Sequence, residues 1–224
     1  MPGTDSLKGA GGKGGMLAIV DYGRGNLFSL SQALSHIGVP HEIIGDSARL
    51  LSAERVILPG VGAFGDTMNE LTKRGLVAPL LEVARRGRPL LGICVGFQVL
   101  FDRGEEFGGH AGLGLLSGRV AALPRPRAND DAWRIPNVGW RPLIKTGRGN
   151  LMSALADDTM VYFVHSYAPV PVNDDVVSAR LSFSGSSVVA AVESRNVLGV
   201  QFHPERSGPA GLEILRQFMT LRGH

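Results

Sequence analysis

Cysteine is nearly absent from these 224 residues: there is one, Cys94. A single thiol excludes an internal disulfide framework and a multi-cysteine zinc site, and it suits a reducing cytoplasm. Lysine is scarce too. The 23 basic residues are mostly arginine, scattered and often beside Asp or Glu, so the net charge of +3 forms no dense basic tract. No nucleic-acid partner is expected from that distribution. No apolar stretch approaches the ~18–20 uninterrupted residues that span a bilayer, so no membrane segment is expected. Metal-ligand spacings such as H-x-x-x-H or H-E-x-x-H are missing, as are carboxylate clusters. There is no Walker A motif, and "GLGLLSG" (112–118) is one residue out of register for a dinucleotide fingerprint. Neither a metal nor a cofactor is expected.

What is present is ordinary for a globular enzyme, with 44% apolar and 19% charged residues. The length suits one domain with a sizeable core. The opening "MPGTDSLKGAGGKGG" holds 6 of the 31 glycines and has no hydrophobic period or signal-peptide core. Residues 1–15 therefore read as a flexible Gly-rich leader or an expression remnant, and 16–224 as the single domain.

From Met16 the chain alternates short apolar runs with helical periods. Strands are predicted at 16–22, 41–44, 55–60 and 88–93, and helices at 26–38, 63–74 and 76–86, with a helix starting at 95–102. Asn26 is a candidate N-cap and Gly38 a candidate C-terminal cap glycine. This order implies an α/β fold: a mostly parallel open sheet with helices on both faces. After residue 115 short strands follow at close spacing, which predicts antiparallel β additions in the C-terminal half. A last helix is expected at roughly 208–222, and the loop 123–133 reads as flexible.

Active sites of open α/β sheets gather at the carboxyl ends of the parallel strands. Four segments end strands with glycines or polar tips: "DYGRGN", "LPGVGAFG", "GICVG" and "QFHPE". Gly92-Ile93-Cys94-Val95-Gly96 has the form G-x-C-x-G, the thiol counterpart of the G-x-S-x-G nucleophile elbow. A sharp strand-to-helix turn leaves no room for side chains at the flanking positions. Unpaired N–H groups at the helix start favour a thiolate, and the Val95 N–H can meet a developing oxyanion. The plain alternative is a buried, inert thiol. His203 and Glu205 lie two apart at a strand end, so an extended chain would set them on one face. There the carboxylate can hold the imidazole tautomer of a base; a strand-end histidine in a surface ion pair is the alternative. His36, His41, His110 and His224 lack such context. In "LPGVGAFG", glycines let backbone N–H groups approach a ligand closely, although a tight turn without a ligand would look the same.

Together these segments resemble the class I, triad-type glutamine amidotransferases, from Met16 to the final helix. More narrowly, "IVDYGRGNLFSL", "LPGVGAFGDTM", "PNVGW" and "YFVHSY" are similar to that family's histidine-biosynthetic branch. The resemblance implies Cys94 as a thioester-forming nucleophile, His203 as base and Glu205 as its orienter. It implies an oxyanion hole from Val95 and Val61, completed when a peptide of the Pro59–Gly62 segment turns. Gly62, Gln98, Glu106, Ser166 and Tyr167 match positions that contact the substrate L-glutamine, with Glu105 an alternative to Glu106. The implied partner is a (β/α)8-barrel cyclase that forms a heterodimer with the glutaminase. It would receive ammonia and yield imidazole glycerol phosphate and aminoimidazole-carboxamide ribonucleotide. Asn26, Asn137, Trp140 and Arg206 match positions near that interface, although Trp140 could equally be a core residue. Arg206 stands where the family commonly has lysine, and Asn137 where it often has histidine. A glutaminase subunit of another biosynthetic amidotransferase, such as anthranilate synthase, and a non-catalytic interaction subunit are the competing readings.

Overall fold

A computed structural model gives the fold and describes residues 16–126 and 134–223. The leader expected at 1–15, residues 127–133 of the expected flexible loop, and His224 lie outside the described residues.

The first half runs β1 (Leu17–Val20), α1 (Leu27–His36), β2 (His41–Ile44), α2 (Ser47–Leu50), β3 (Arg55–Leu58), α3 (Phe64–Lys73), α4 (Val77–Arg85), β4 (Leu90–Ile93) and α5 (Val95–Gln98). Strands β5 (Phe101–Gly104), β6 (His110–Ala111), β7 (Leu116–Ala122), β8 (Asn137–Pro142) and β9 (Ile144–Lys145) follow. They lead into β10 (Met160–His165), β11 (Tyr167–Pro171), β12 (Val177–Phe183), β13 (Ser186–Ser194), β14 (Val197–Val200) and α6 (Gly208–Thr220).

The main sheet has the order β2-β1-β3-β4-β14-β13-β12-β9. Its first five strands are parallel, and β13, β12 and β9 extend it antiparallel. In β1, β4 and β14 every residue is buried, as expected where helices cover both faces of a parallel sheet. Chain direction across the sheet reverses beside β1, which has both β2 and β3 as neighbours. In open α/β sheets such a reversal leaves a crevice at the strand ends. The strands whose ends carry the four segments singled out from the sequence, β1, β3, β4 and β14, are adjacent.

Some elements differ from the sequence reading. The helix after Cys94 is one turn, because the chain is already pairing with β6 and β7 from Phe101 onward. The C-terminal strands are not all antiparallel: β14 pairs with β4 in parallel inside the main sheet. A four-stranded sheet β11-β7-β5-β6 and the β10–β8 ribbon stand apart, and β5 pairs with β7 in parallel. As anticipated, Asn26 caps α1, its side chain accepting from the Ser29 N–H at 3.3 Å, and Gly38 adopts φ +73° just past the helix end.

Candidate active site

Cys94 occupies the tight turn between β4 and α5, with φ 55° and ψ −114°. A non-glycine residue there costs about 1–3 kcal/mol and persists only where its surroundings enforce it. They do so here: the Cys94 N–H donates to Val200 O at 2.8 Å, and Cys94 O accepts from the Phe97 and Gln98 N–H groups, both at 3.1 Å. The two flanking glycines are required by contact. A Cβ on Gly92 would lie 2.6 Å from Gly96 O and Phe97 Cα, and one on Gly96 would overlap Leu58 O. The Val95 N–H falls outside the turn's own ladder, whose first bonds come from Phe97 and Gln98. With a single helical turn behind it, the turn offers local N–H groups and no long helix dipole.

The thiol opens onto a cavity of about 370 Å³. Val61, Gly62, Val95, Gln98, Glu106, His165, Ser166, Tyr167 and His203 line it. All ten residues read from the sequence as triad, oxyanion or substrate positions, except Glu205, therefore line this one space. Glu205 sits behind His203.

His203 Nδ1 and Glu205 Oε1 are 2.9 Å apart, both side chains almost fully enclosed. The pair forms differently from the extended-strand expectation. Residues 204–206 make a 3-10 turn with Pro204 at its start, and Glu205 curls back under His203. The carboxylate fixes the proton on Nδ1 and leaves Nε2 for the cavity and the Cys94 sulfur. Burial disfavours a charged ring, but the Cys94 sulfur and the Glu205 carboxylate outweigh it and raise the His203 pKa to about 10.

His165 behaves in the opposite way: burial holds its pKa down to about 4, against the pull of the Tyr167 carbonyl, and nearby His203 lowers it further. It is neutral at pH 7, with Nδ1 donating to Tyr167 O at 2.9 Å and Nε2 accepting from Asn137 Nδ2 at 3.0 Å. Gln98 Nε2 donates to Tyr167 O and to Gln201 Oε1, both at 3.0 Å. That uses both amide hydrogens and leaves Oε1, an acceptor, as its polar atom for a ligand. Glu106 Oε2 accepts from the Phe64 N–H at 2.8 Å, tying the cavity wall to the start of α3. Its neighbour Glu105 pairs instead with Arg119 at 3.1 Å.

The four residues matched to an interface divide. Trp140 is not a core residue: it is 47% exposed on β8, edge-on to Tyr162 with ring centroids 6.1 Å apart. Arg206 lies over the same tyrosine ring at 4.4 Å. Asn26 sits part-exposed at the start of α1. Asn137, in contrast, is wholly buried between His165 and Arg141.

Three neighbours of the site were not singled out from the sequence. His165 was visible only as the residue before Ser166. Gln201 is fully buried two residues before His203, just past the end of β14, with Nε2 3.7 Å from the Cys94 sulfur. Tyr22, at the end of β1, is pushed up to about 12 by burial and stays neutral beneath Gly60.

A family model described as "Glutamine amidotransferase class-I" matches residues 18–221. An imidazole glycerol phosphate synthase subunit HisH from Desulfitobacterium hafniense is 44% identical over 203 residues, which are 91% of this chain and 93% of that relative. The subunit of the same name from Bacillus cereus is 46% identical over 204 residues, again 91% of this chain and 93% of the relative. Among solved structures, PurLQS from Thermotoga maritima shares the fold with a TM-score of 0.70 at 24% identity, covering 92% of this chain and 97% of that one.

Proposed function

The chain belongs to the class I glutamine amidotransferases, within the HisH subunits of imidazole glycerol phosphate synthase, and on that premise we propose how its residues divide the work. It is the glutaminase subunit of a larger enzyme in histidine biosynthesis. The observation that carries the assignment of roles is the strained Cys94 facing the buried His203–Glu205 pair across one cavity.

Cys94 Sγ attacks the side-chain carboxamide carbon of L-glutamine. The C–S bond forms as the carbonyl electrons move to oxygen, where the Val95 N–H stabilises the oxyanion, joined by the Val61 peptide once the Pro59–Gly62 segment turns. His203, protonated and oriented by Glu205 through Nδ1, passes its Nε2 proton to the leaving nitrogen. The C–N bond breaks, and ammonia departs from a glutamyl thioester. Water then attacks the thioester while His203 takes its proton, and glutamate leaves with the thiol pair restored. The α-ammonium of the substrate suits Gln98 Oε1 and the Glu106 carboxylate, while its α-carboxylate suits backbone donors near Gly62, Ser166 and Tyr167.

The ammonia passes to a partner subunit, which we take to be a (β/α)8-barrel cyclase in a heterodimer. Trp140 and Arg206 on the β8–β10 face support this docking, since exposed Trp and Arg are the commonest anchors of such interfaces. The test is Cys94→Ala in the complex. Glutamine-dependent synthesis is expected to vanish while ammonia-dependent synthesis persists. Loss of both at equal partner levels, or retention of both, overturns the assignment.

A further inference from the structure

The Cys94 sulfur has two polar neighbours of opposite preference besides His203. Val164 O lies 3.9 Å away and can only accept, which favours the thiol S–H. Gln201 Nε2 lies 3.7 Å away on the other flank. Which atom of the Gln201 amide faces the sulfur is decided by a chain of hydrogen bonds. Tyr167 O is a backbone carbonyl and only accepts, so Gln98 must present its NH2 group there. The second hydrogen of that group points at Gln201, so Gln201 must present Oε1 to it. Its own NH2 group is thereby turned to Cys94. Reversing either amide would set two donors or two acceptors face to face inside a closed site, at the full cost of unpaired buried polar groups.

The geometry points to Gln201 as a positioning residue for the nucleophile: its side-chain N–H, locked by Gln98 and the Tyr167 carbonyl, favours the thiolate form of Cys94 and fixes its direction. The inference rests on the reading of Cys94 as the attacking group. Gln201 is fully buried, and its backbone N–H donates to Ala190 O at 2.8 Å, so the donor is held from β13 as well as from Gln98. A hydrogen bond to the charged form lowers the proton affinity of that group. Because Gln98 also lines the cavity, the residue that faces the ligand is the one that sets the sulfur's donor.

The test reads the ionisation of Cys94 through its rate of alkylation by iodoacetamide against pH, measured on the full chain by intact mass. Turnover of glutamine is measured on the complex. The titratable groups around the sulfur are His203 with Glu205 behind it, Tyr22 at the end of β1, and His165 and Glu106 on the cavity wall; all remain in the variants. For Gln201→Leu and Gln201→Glu, the alkylation midpoint is expected to rise by about one pH unit, a ~10-fold loss of rate at fixed pH below it. The kcat falls by a similar factor, with KM for glutamine within about two-fold. A midpoint unmoved in either folded variant overturns the inference, whatever the turnover does.

Should both variants fail to fold, the wild-type chain decides. It has four glutamines, so 15N-glutamine labelling gives few side-chain signals. One buried NH2 pair is expected to shift with the ionisation of Cys94 and to stay still in Cys94→Ser; no such difference overturns the inference. Cys94→Ala separates the two levels. If it keeps glutaminase activity, the reading of Cys94 falls. If it is inactive and the Gln201 variants leave the midpoint unmoved, the role of Gln201 alone falls.

Discussion

Gly96 lies against the Leu58 carbonyl so closely that a Cβ would overlap its oxygen and come within 3.0 Å of the Pro59 carbonyl carbon. The Cys94 turn and the end of β3 that leads into the Pro59–Gly62 segment are thus in backbone contact. Gly96→Ala must push the Pro59–Gly62 segment away from Cys94. Overpacking at such a point costs about 1–3 kcal/mol, and a displacement near 1 Å costs roughly 10²-fold in rate. The expected outcome is a folded chain of lowered Tm whose complex loses at least ~100-fold of glutamine-dependent turnover while using free ammonia normally. Unchanged turnover would show that the two segments are not coupled.

The His203–Glu205 pair makes a pH prediction whose sign follows from the direction of the shift. The folded-state pKa of His203 is raised, to about 10, so its contribution to stability is complete below the unfolded value near 6.5. It is lost as pH rises through about 10. Glu205→Gln removes one cause of the rise. Its Tm is expected to fall less steeply than wild type between pH 7 and 10, and its turnover to drop ~100-fold at neutral pH. A ring titration of His203 followed by NMR checks this directly: the midpoint moves down in the variant.

His165 gives the opposite limb. Its folded-state pKa is lowered to about 4 by burial, so its contribution is present above about 6.5 and lost as pH falls through 4. Tm is expected to fall on acidification from pH 6.5 to 4.5, and less so in His165→Gln, which cannot gain the proton. Parallel melting curves for the two chains sink this attribution.

Much of this was legible because local chemistry and topology agree. Continuous apolar runs marked β1 and β4 as buried strands, and G-x-C-x-G marked the turn between β4 and α5; β14, expected among the antiparallel additions, instead pairs in parallel with β4. The misses have physical causes too. Nothing in "GFQVLF" announces that Gln98 ends the helix, since pairing of Phe101–Gly104 with distant β7 decides it. The extended geometry assumed for His203 and Glu205 ignored the turn that Pro204 starts. Gln201 opens "QFHPE", but its own part there is not legible locally; it comes from Gln98, 103 positions away. The exposure of Trp140 and the burial of Asn137 were likewise unreadable, because both sit in a ribbon whose outer face is set by tertiary packing.

Glu105 and Glu106 can be told apart by substitution. Only Glu106 lines the cavity, and its carboxylate also accepts from the Phe64 N–H. Glu106→Gln keeps an acceptor for that N–H but removes the charge facing a substrate ammonium. KM for glutamine is expected to rise ~10-fold or more, in line with the strength of a charge-assisted bond. Glu105→Gln, which loses only an exposed pair with Arg119, is expected to leave KM within about two-fold. The reverse result would exchange the two residues.

The β8–β10 face offers the clearest test of docking. Trp140 stands half out of the surface beside Tyr162, and Arg206 stacks on the same ring from the turn that carries Glu205. A partner seated on this cluster therefore touches residues one position from the triad, which gives it a short mechanical route to His203. Trp140→Ala removes a large ring of which about half is exposed. It is expected to weaken the complex by roughly 10–100-fold, measured by calorimetric titration, and to shift Tm of the isolated chain only slightly. The pH dependence of Cys94 alkylation in the isolated chain stays as it was. If Tm collapses while affinity per folded molecule is unchanged, Trp140 serves the ribbon and not the interface.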